Sequence, residues 1–332
     1  MRAVVLAAPW SFGLAEVAEY PLSAGMTTVA PLFVGLCGSD VHVAKGDHAR
    51  ARLPLVLGHE IVGVATDGLL EGQTVVVDPV EGCDACDRCA AGHEQLCDHL
   101  GIVGIDRNGG LAETVSVRTN HLHVVPPGLP PEAAALAEVV AVTVHAWDKV
   151  ASAPGDSIAI VGAGPIGLLV AICARDRGAD RIVLVEPAPA RRRVAEALGF
   201  DVIAPGPGGT VTSLGHRWAD VVVDAAGVPS VAAMVTDLAR PGGTILVIAV
   251  HHTPAEINLP DITLRELRVQ GTRACTGSDI VKAMDLLSRR PSVFIPLMTD
   301  IVGPEDVGAA LARCAGGETM KVLVDCSGLR SS

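Results

Sequence analysis

The chain has 332 residues, enough for two domains with a sizeable core. Hydrophobic residues make up 49% and aromatics only 2%, so that core is built from Val, Leu, Ile and Ala. A formal net charge of -12 argues against a nucleic-acid backbone or an anionic membrane as partner. Two stretches imitate export or membrane signals and fail as such. Ala3–Ala8 after Met1-Arg2 is too short for a signal-peptide core and ends at Pro9. The uncharged run 157–174 is broken at its centre by Gly-Ala-Gly-Pro. A cytoplasmic protein is expected.

Up to about residue 138, short apolar runs alternate with Gly and Pro turns: Ala3–Leu6, Thr28–Val34, Ile61–Ala65, Thr74–Asp78, Leu111–Val117 and His123–Val125. This predicts a mostly β domain. A helical stretch follows from Glu132 to Val150, and Pro154-Gly155-Asp156 turns the chain into a different rhythm. Strands at Ser157–Val161, Arg181–Val185, Val202-Ile203, Asp220–Asp224 and Thr244–Val250 alternate with helices, among them Pro189–Leu198, which stops at Gly199. Pro241-Gly242-Gly243 reads as the turn before the last of these strands, and Asp279–Arg289 as the last helix before Pro291. The alternation predicts a doubly wound parallel sheet. After it come a helix at Pro304–Cys314 and a strand at Lys321–Asp325, and this tail returns to the first domain. The division is therefore 1–138 with 291–332, and 139–290.

The second domain opens on Val161-Gly162-Ala163-Gly164-Pro165-Ile166-Gly167. A strand precedes it, and Ile166, Leu169, Val170 and Cys173 follow at helical spacing, so the glycines occupy a strand-to-helix turn. Gly162 suits the tight turn, Gly164 the approach of a pyrophosphate, and Gly167 close helix–strand packing, with the helix start facing the phosphates. Glu186 ends the next strand, about 20 residues beyond Gly167, where a carboxylate accepts hydrogen bonds from the adenosine ribose. A 2′-phosphate is repelled there, so NAD is favoured over NADP. Arg191 to Arg193 are the counter-argument, since one of them could bind that phosphate.

Two constellations suit metals. Cys83, Cys86, Cys89 and Cys97 crowd into one loop, and four thiolates suit a closed, structural Zn site, with an iron–sulfur cluster as the alternative. The other is dispersed: Cys37-Gly38-Ser39-Asp40-Val41-His42, then Gly58-His59-Glu60, then Glu138. Glu138 is the sharper clue, because a carboxylate in so apolar a helix start needs a partner.

Together these motifs resemble the zinc-dependent medium-chain alcohol dehydrogenases, in the branch with sorbitol, threonine and butanediol dehydrogenases. The resemblance rests on GLCGSDVH at 35–42, LGHE at 57–60, the four-cysteine lobe and VGAGPIG at 161–167, and covers essentially the whole chain. It implies an α/β protein with a GroES-like, mostly β catalytic domain and a Rossmann domain that binds NAD. It implies two Zn per chain. The catalytic ion is held by Cys37, His59 and Glu60, with Glu138 binding directly or through water; the structural ion is held by Cys83, Cys86, Cys89 and Cys97. Val139 stands where that branch carries proline. The expected reaction moves a hydride from a secondary alcohol, diol or polyol to NAD. The metal acidifies the alcohol, Ser39 hydrogen-bonds its oxygen, and His42 ends the proton relay. The bland reading of His42 is a solvated loop histidine.

On the cofactor side Gly162, Gly164, Pro165, Ile166, Gly167, Glu186 and Arg191 are the candidates. Lys321 matches a position where the resemblance implies a basic residue near the pyrophosphate, and reads equally as an ordinary surface lysine at a strand start. Asp40 reads as loop support, His251-His252 as solvated loop residues near the nicotinamide, and Cys173, Cys275, Cys314 and Cys326 as core. The acid-rich cysteine lobe has the wrong sign for nucleic acid. The remaining alternatives are an NADPH-preferring carbonyl reductase of the same family and a non-catalytic nucleotide binder. A homodimer or homotetramer is expected by resemblance.

Overall fold

The computed structural model describes residues 1–19, 23–206 and 215–330. The chain divides into two compact units, Met1–Ala141 with Ala274–Ser332, and Val142–Arg273.

The first unit is built on a mostly antiparallel sheet whose long central strand is Met26–Leu36. Its alternating Thr, Val, Leu and Phe residues place one face on a core of Val29, Val34, Ile61, Val75, Val77, Val115 and Val322. Glu60–Ala65 pairs antiparallel on one side, with Gly35 opposite Glu60. Lys321–Asp325 pairs antiparallel on the other, with Val322 opposite Leu36. Three strand ends thus meet where Gly35 and Leu36 lead into Cys37. A three-stranded sheet joins Ser11–Glu16, Arg2–Ala8 and Leu55–Val56.

Several elements depart from the pattern read in the sequence. Of the run Leu111–Val117, only its last residues join a strand, Val115–Arg118. The apolar residues before it are buried but irregular, tied by Leu111 N–H to the Leu57 carbonyl and by Val4 N–H to the Leu111 carbonyl. Ser11–Glu16 lies almost wholly exposed, so no apolar alternation announces it. Gly38–Lys45 is a helix with mixed polar and apolar residues and no apolar stripe. The helix Gly277–Arg289 belongs to the first unit, whereas the sequence division placed it in the second. Its buried face of Ile280, Ala283, Met284 and Leu287 packs near the strand Leu122–Val124 and the helix Pro131–Ala134.

The second unit is a six-stranded, wholly parallel sheet. Across the sheet the strands run Asp201–Ile203, Arg181–Val185, Ser157–Val161, Ala219–Asp224, Ala239–Val247 and Arg268–Gly271. In chain order this is 3-2-1-4-5-6, the doubly wound order whose direction reverses between the first and fourth strands. The fifth strand runs through Pro241-Gly242-Gly243, expected as a turn, and ends at Val247. Helices Pro165–Asp176, Pro189–Ala197 and Pro229–Leu238 all start on proline, which supplies a helical φ and has no N–H to leave unpaired there. Among the described residues no helix is long and apolar enough to cross a membrane.

Candidate metal centres and dinucleotide site

The strand ends of the first unit bring distant residues together. Ligand atoms of Cys37, His59 and Glu60 all lie within 4.8 Å of one another. Cys37 caps the helix Gly38–Lys45. Gly35 makes room for Glu60, since a Cβ at Gly35 would stand 2.0 Å from Glu60 Oε2. Ser39 Oγ lies 3.4 Å from His59 Nε2.

Asp40 does more than support the loop. It is wholly buried; Oδ2 accepts the Cys37 N–H at 2.9 Å, and Oδ1 faces His59 Nδ1 at 3.5 Å. That leaves Nε2 as the nitrogen for a ligand, the usual arrangement in which a carboxylate orients a metal-binding imidazole. Burial works against a charged His59, but Asp40 and the Cys37 thiol outweigh it and hold the imidazole well above the ordinary histidine range. The signal was present: an acid three residues after a helix-capping position is a capping pattern.

Lys321 departs from both of its readings. It is buried, and its ammonium donates to Glu60 Oε1 and Oε2 at 2.6 Å each and to the Leu36 carbonyl at 3.2 Å. These three acceptors use all three of its hydrogens, so none is left for a pyrophosphate. The strand pairing explains this, because Lys321 leads the strand beside Leu36, and Leu36 follows the partner of Glu60.

Glu138 sits at the start of the helix Ala137–Asp148 and is buried, but outside the group formed by Cys37, His59 and Glu60. Burial pushes its carboxyl up to about 7; Glu60 adds to the rise, while His59 and Lys321 oppose it. His42, on the same helix as Ser39, is partly exposed and lies 3.0 Å through Nδ1 from Asp47 Oδ1.

Cys83, Cys86, Cys89 and Cys97 have their sulfur atoms within 4.8 Å of one another. Only Cys97 is fully buried, against Val80 and Leu100. Arginines fasten the loop to the sheet: Arg107 grips Glu81 through two hydrogen bonds of 2.9 and 2.7 Å, and Arg118 bonds Asp84 Oδ2 at 2.6 Å and the Gly82 carbonyl at 2.9 Å.

In the second unit the glycine motif makes a strand-to-helix turn. Gly162 has φ +102°, and a Cβ on Gly167 would stand 1.9 Å from the Gly162 carbonyl oxygen. Glu186 is buried beside this turn, accepting from Ala163 N–H and Ala188 N–H at 2.8 Å each. The Arg191 guanidinium lies 3.6 Å from where a Gly164 Cβ would be, and its Nε is buried without a hydrogen-bond partner. Gly162, Gly164, Pro165, Ile166, Gly167, Glu186 and Arg191 thus gather at one turn at the carboxyl ends of the first two strands. His251 is tied to Asp224 at 2.7 Å, contrary to the solvated reading.

The three residue sets fit the groups they suggest. A mixed sulfur, nitrogen and oxygen set suits a catalytic zinc, four sulfurs suit a structural one, and the open turn with an orphaned arginine suits phosphates. Comparison with known proteins finds matches in both parts of the chain. Residues 23–127 match the alcohol dehydrogenase GroES-like domain, and residues 165–289 match the zinc-binding dehydrogenase family. The 2-dehydro-3-deoxy-L-galactonate 5-dehydrogenase of Pseudoalteromonas atlantica is 31% identical, over 96% of each chain. The D-altritol 5-dehydrogenase of Agrobacterium fabrum is 31% identical, over 86% of this chain and 89% of its own. A structure from Sinorhizobium meliloti assigned as a zinc-binding dehydrogenase and bound to NADP superposes with a TM-score of 0.89, at 29% identity and 98% coverage of both chains. Identity spread along the chain, and not confined to the metal motifs, has one explanation: the chain belongs to the zinc-dependent medium-chain alcohol dehydrogenase family.

Proposed function

We propose that this oxidoreductase oxidises a secondary hydroxyl on a polyol or sugar acid with NAD, reversibly with the ketone. The observation that carries the reading is the convergence of Cys37, His59 and Glu60, with the Ser39 hydroxyl 3.4 Å from His59 Nε2. Two relatives act at position 5 of an open polyhydroxylated chain, by their names, and this supports the substrate class.

Cys37, His59 and Glu60 hold one zinc, and Cys83, Cys86, Cys89 and Cys97 hold a second. When bound, the first zinc supplies Lewis acidity at the substrate hydroxyl and NAD supplies the hydride acceptor. Ser39 accepts the hydrogen bond of the substrate hydroxyl and orients it. His42 takes the proton at the protein surface, where its Nδ1 lies 3.0 Å from Asp47 Oδ1. Glu138 is outside the three-ligand group, so we assign it to the substrate side, acting through water. Glu186 accepts from the adenosine ribose with the lone pairs that Ala163 and Ala188 leave over, and its charge disfavours a 2′-phosphate. Arg191, with Nε unpaired, meets the phosphate or ribose beside the turn.

A second reading, NADP as cofactor, is favoured by that same orphaned Arg191 Nε and by the NADP in the Sinorhizobium structure. Elemental analysis and reduction of NAD and NADP with a panel of polyols and sugar acids test both. Two zinc per chain and chelator-sensitive NAD reduction support the first reading. One zinc and no turnover would sink it. In Glu186→Ala, a shift of preference towards NADP is expected; an unchanged preference removes Glu186 from the assignment.

A further inference from the structure

Asp224 ends the fourth strand of the parallel sheet, beside Val161 of the first, and is almost wholly buried. Its Oδ1 accepts the N–H groups of Ala226 and Gly227 at 3.0 Å each, and its Oδ2 meets His251 Nε2 at 2.7 Å. A carboxylate only accepts, so the hydrogen of this bond is on Nε2. In the tautomer with its hydrogen there, Nδ1 carries a bare lone pair. That atom is buried and has no hydrogen-bond partner. A second orphan lies close by in the topology: Thr272 Oγ1, also buried and unpartnered, directly after the sixth strand. Asp224, Val247 and Gly271 form one row across the last three strands, and Thr272 N–H bonds the Val247 carbonyl at 3.1 Å. An acceptor and a hydroxyl, each left unmatched at a cost of about 1–3 kcal/mol, therefore stand at the carboxyl ends of the far half of the sheet.

The functional reading above places the adenosine at Glu186 and the pyrophosphate at Gly162–Gly167, and the present inference rests on it. A dinucleotide lying across the reversal point then brings its other end over the fourth to sixth strands. There the nicotinamide offers a carboxamide, with an N–H₂ to donate and a carbonyl to accept. We propose that His251 binds the nicotinamide end of the cofactor, Nδ1 accepting the carboxamide N–H, with the Thr272 hydroxyl donating to the carboxamide oxygen. Asp224 is the positioning residue: it fixes the tautomer that makes Nδ1 an acceptor and ties the ring to the backbone turn at Ala226-Gly227.

The test uses the zinc-loaded enzyme and equilibrium titration, by NADH fluorescence and by calorimetry, with three ligands. They are NADH, the reduced 3-acetylpyridine analogue, whose methyl replaces the carboxamide nitrogen, and ADP-ribose, which has no nicotinamide. Wild type is expected to bind NADH about tenfold more tightly than the analogue, the worth of one buried hydrogen bond. His251→Phe should lose that preference and leave ADP-ribose binding unchanged. Asp224→Asn keeps an oxygen for Ala226 and Gly227 and turns its N–H₂ to the ring. Nδ1 then becomes a donor, and the preference for NADH should vanish or reverse. Equal binding of NADH and the analogue by wild type overturns the proposal even if no variant folds. So does a loss of NADH affinity with the preference intact, which assigns the contact to a ribose hydroxyl. An equal loss for ADP-ribose in both variants reduces the pair to a structural brace. If wild type binds neither NADH nor ADP-ribose, the dinucleotide reading itself fails.

Discussion

The four cysteines of the lobe come from one loop, Cys83 to Cys97, whereas Cys37, His59 and Glu60 come from a helix cap and a strand start that the sheet brings together. The lobe consists of one ligand type and is fastened from outside, by Arg107 on Glu81 and Arg118 on Asp84. The mixed centre is braced from within by two buried charged groups, Asp40 on His59 and Lys321 on Glu60. A local cluster of thiolates needs a metal to hold its shape, while a dispersed set is held by its own scaffold and can keep its geometry through turnover. Loss of metal should therefore cost fold at the lobe and activity at the mixed centre.

The largest effects test that difference directly. Cys37→Ser is expected to abolish turnover and one zinc equivalent while leaving thermal unfolding nearly unchanged. Cys97→Ser, at the buried thiol of the lobe, should lose the other equivalent and several kcal/mol of stability, since metal binding at a structural site is folding free energy, on the order of 10 kcal/mol in small zinc domains. Elemental analysis with urea unfolding of both variants decides the matter; matching unfolding curves would remove the distinction between the sites.

Next in size is Lys321→Met. In metal-free protein it leaves the Glu60 carboxylate buried without a cation, which costs about 3–5 kcal/mol. Adding Glu60→Gln should return most of that loss without restoring activity. If the single variant unfolds like wild type, the pair is not what holds Glu60 in place.

A pH measurement sharpens the lobe side. Asp78 directly follows the strand Thr74–Val77, which leads to the lobe, and burial pushes its carboxyl from 3.8 up to about 6, with Val80 N–H and His121 opposing and Glu94 and Asp279 adding. Its folded pKa is raised, so its contribution is fully present below about pH 4 and is lost as pH rises through 6. At 1.36 kcal/mol per unit the loss is at most about 3 kcal/mol. Asp78→Asn carries no charge and keeps an acceptor for Val80. Its stability relative to wild type, from urea unfolding at several pH values, should grow between pH 4 and 7 and then level off. A constant difference would assign the effect to packing.

The same contrast explains what was legible in the sequence. The lobe could be read from spacing alone, because its ligands are neighbours in the chain. The glycine turn and Glu186 could be read because the Rossmann unit repeats a local strand–helix rhythm. Cys37, His59 and Glu60 are legible only through a family resemblance, since nothing in their spacing says that two strands will pair with Gly35 opposite Glu60. The role of Lys321 is hidden for that reason: its partner lies 261 positions away, and only the register of Lys321–Asp325 on Met26–Leu36 brings them together. Asp40 and His251 look bland in the sequence because their roles depend on which face of a buried neighbour they meet.

The smallest effect, Asp40→Asn, isolates the brace within the mixed centre. Asparagine retains an oxygen for the Cys37 N–H, so the helix cap survives. Its N–H₂ then faces His59 Nδ1 in place of a carboxylate oxygen, which makes Nδ1 the acceptor and moves the ring hydrogen to Nε2, beside Ser39. The nitrogen facing the ligand set loses its lone pair. Zinc affinity at the mixed centre should fall 10- to 100-fold, as it does when the group orienting a metal-binding histidine is altered. Competition with a chromophoric chelator reads the two equivalents separately, and only the weaker-held one should move. If both move together, Asp40 acts on the fold of the unit; if neither does, His59 is oriented by its packing and not by this carboxylate.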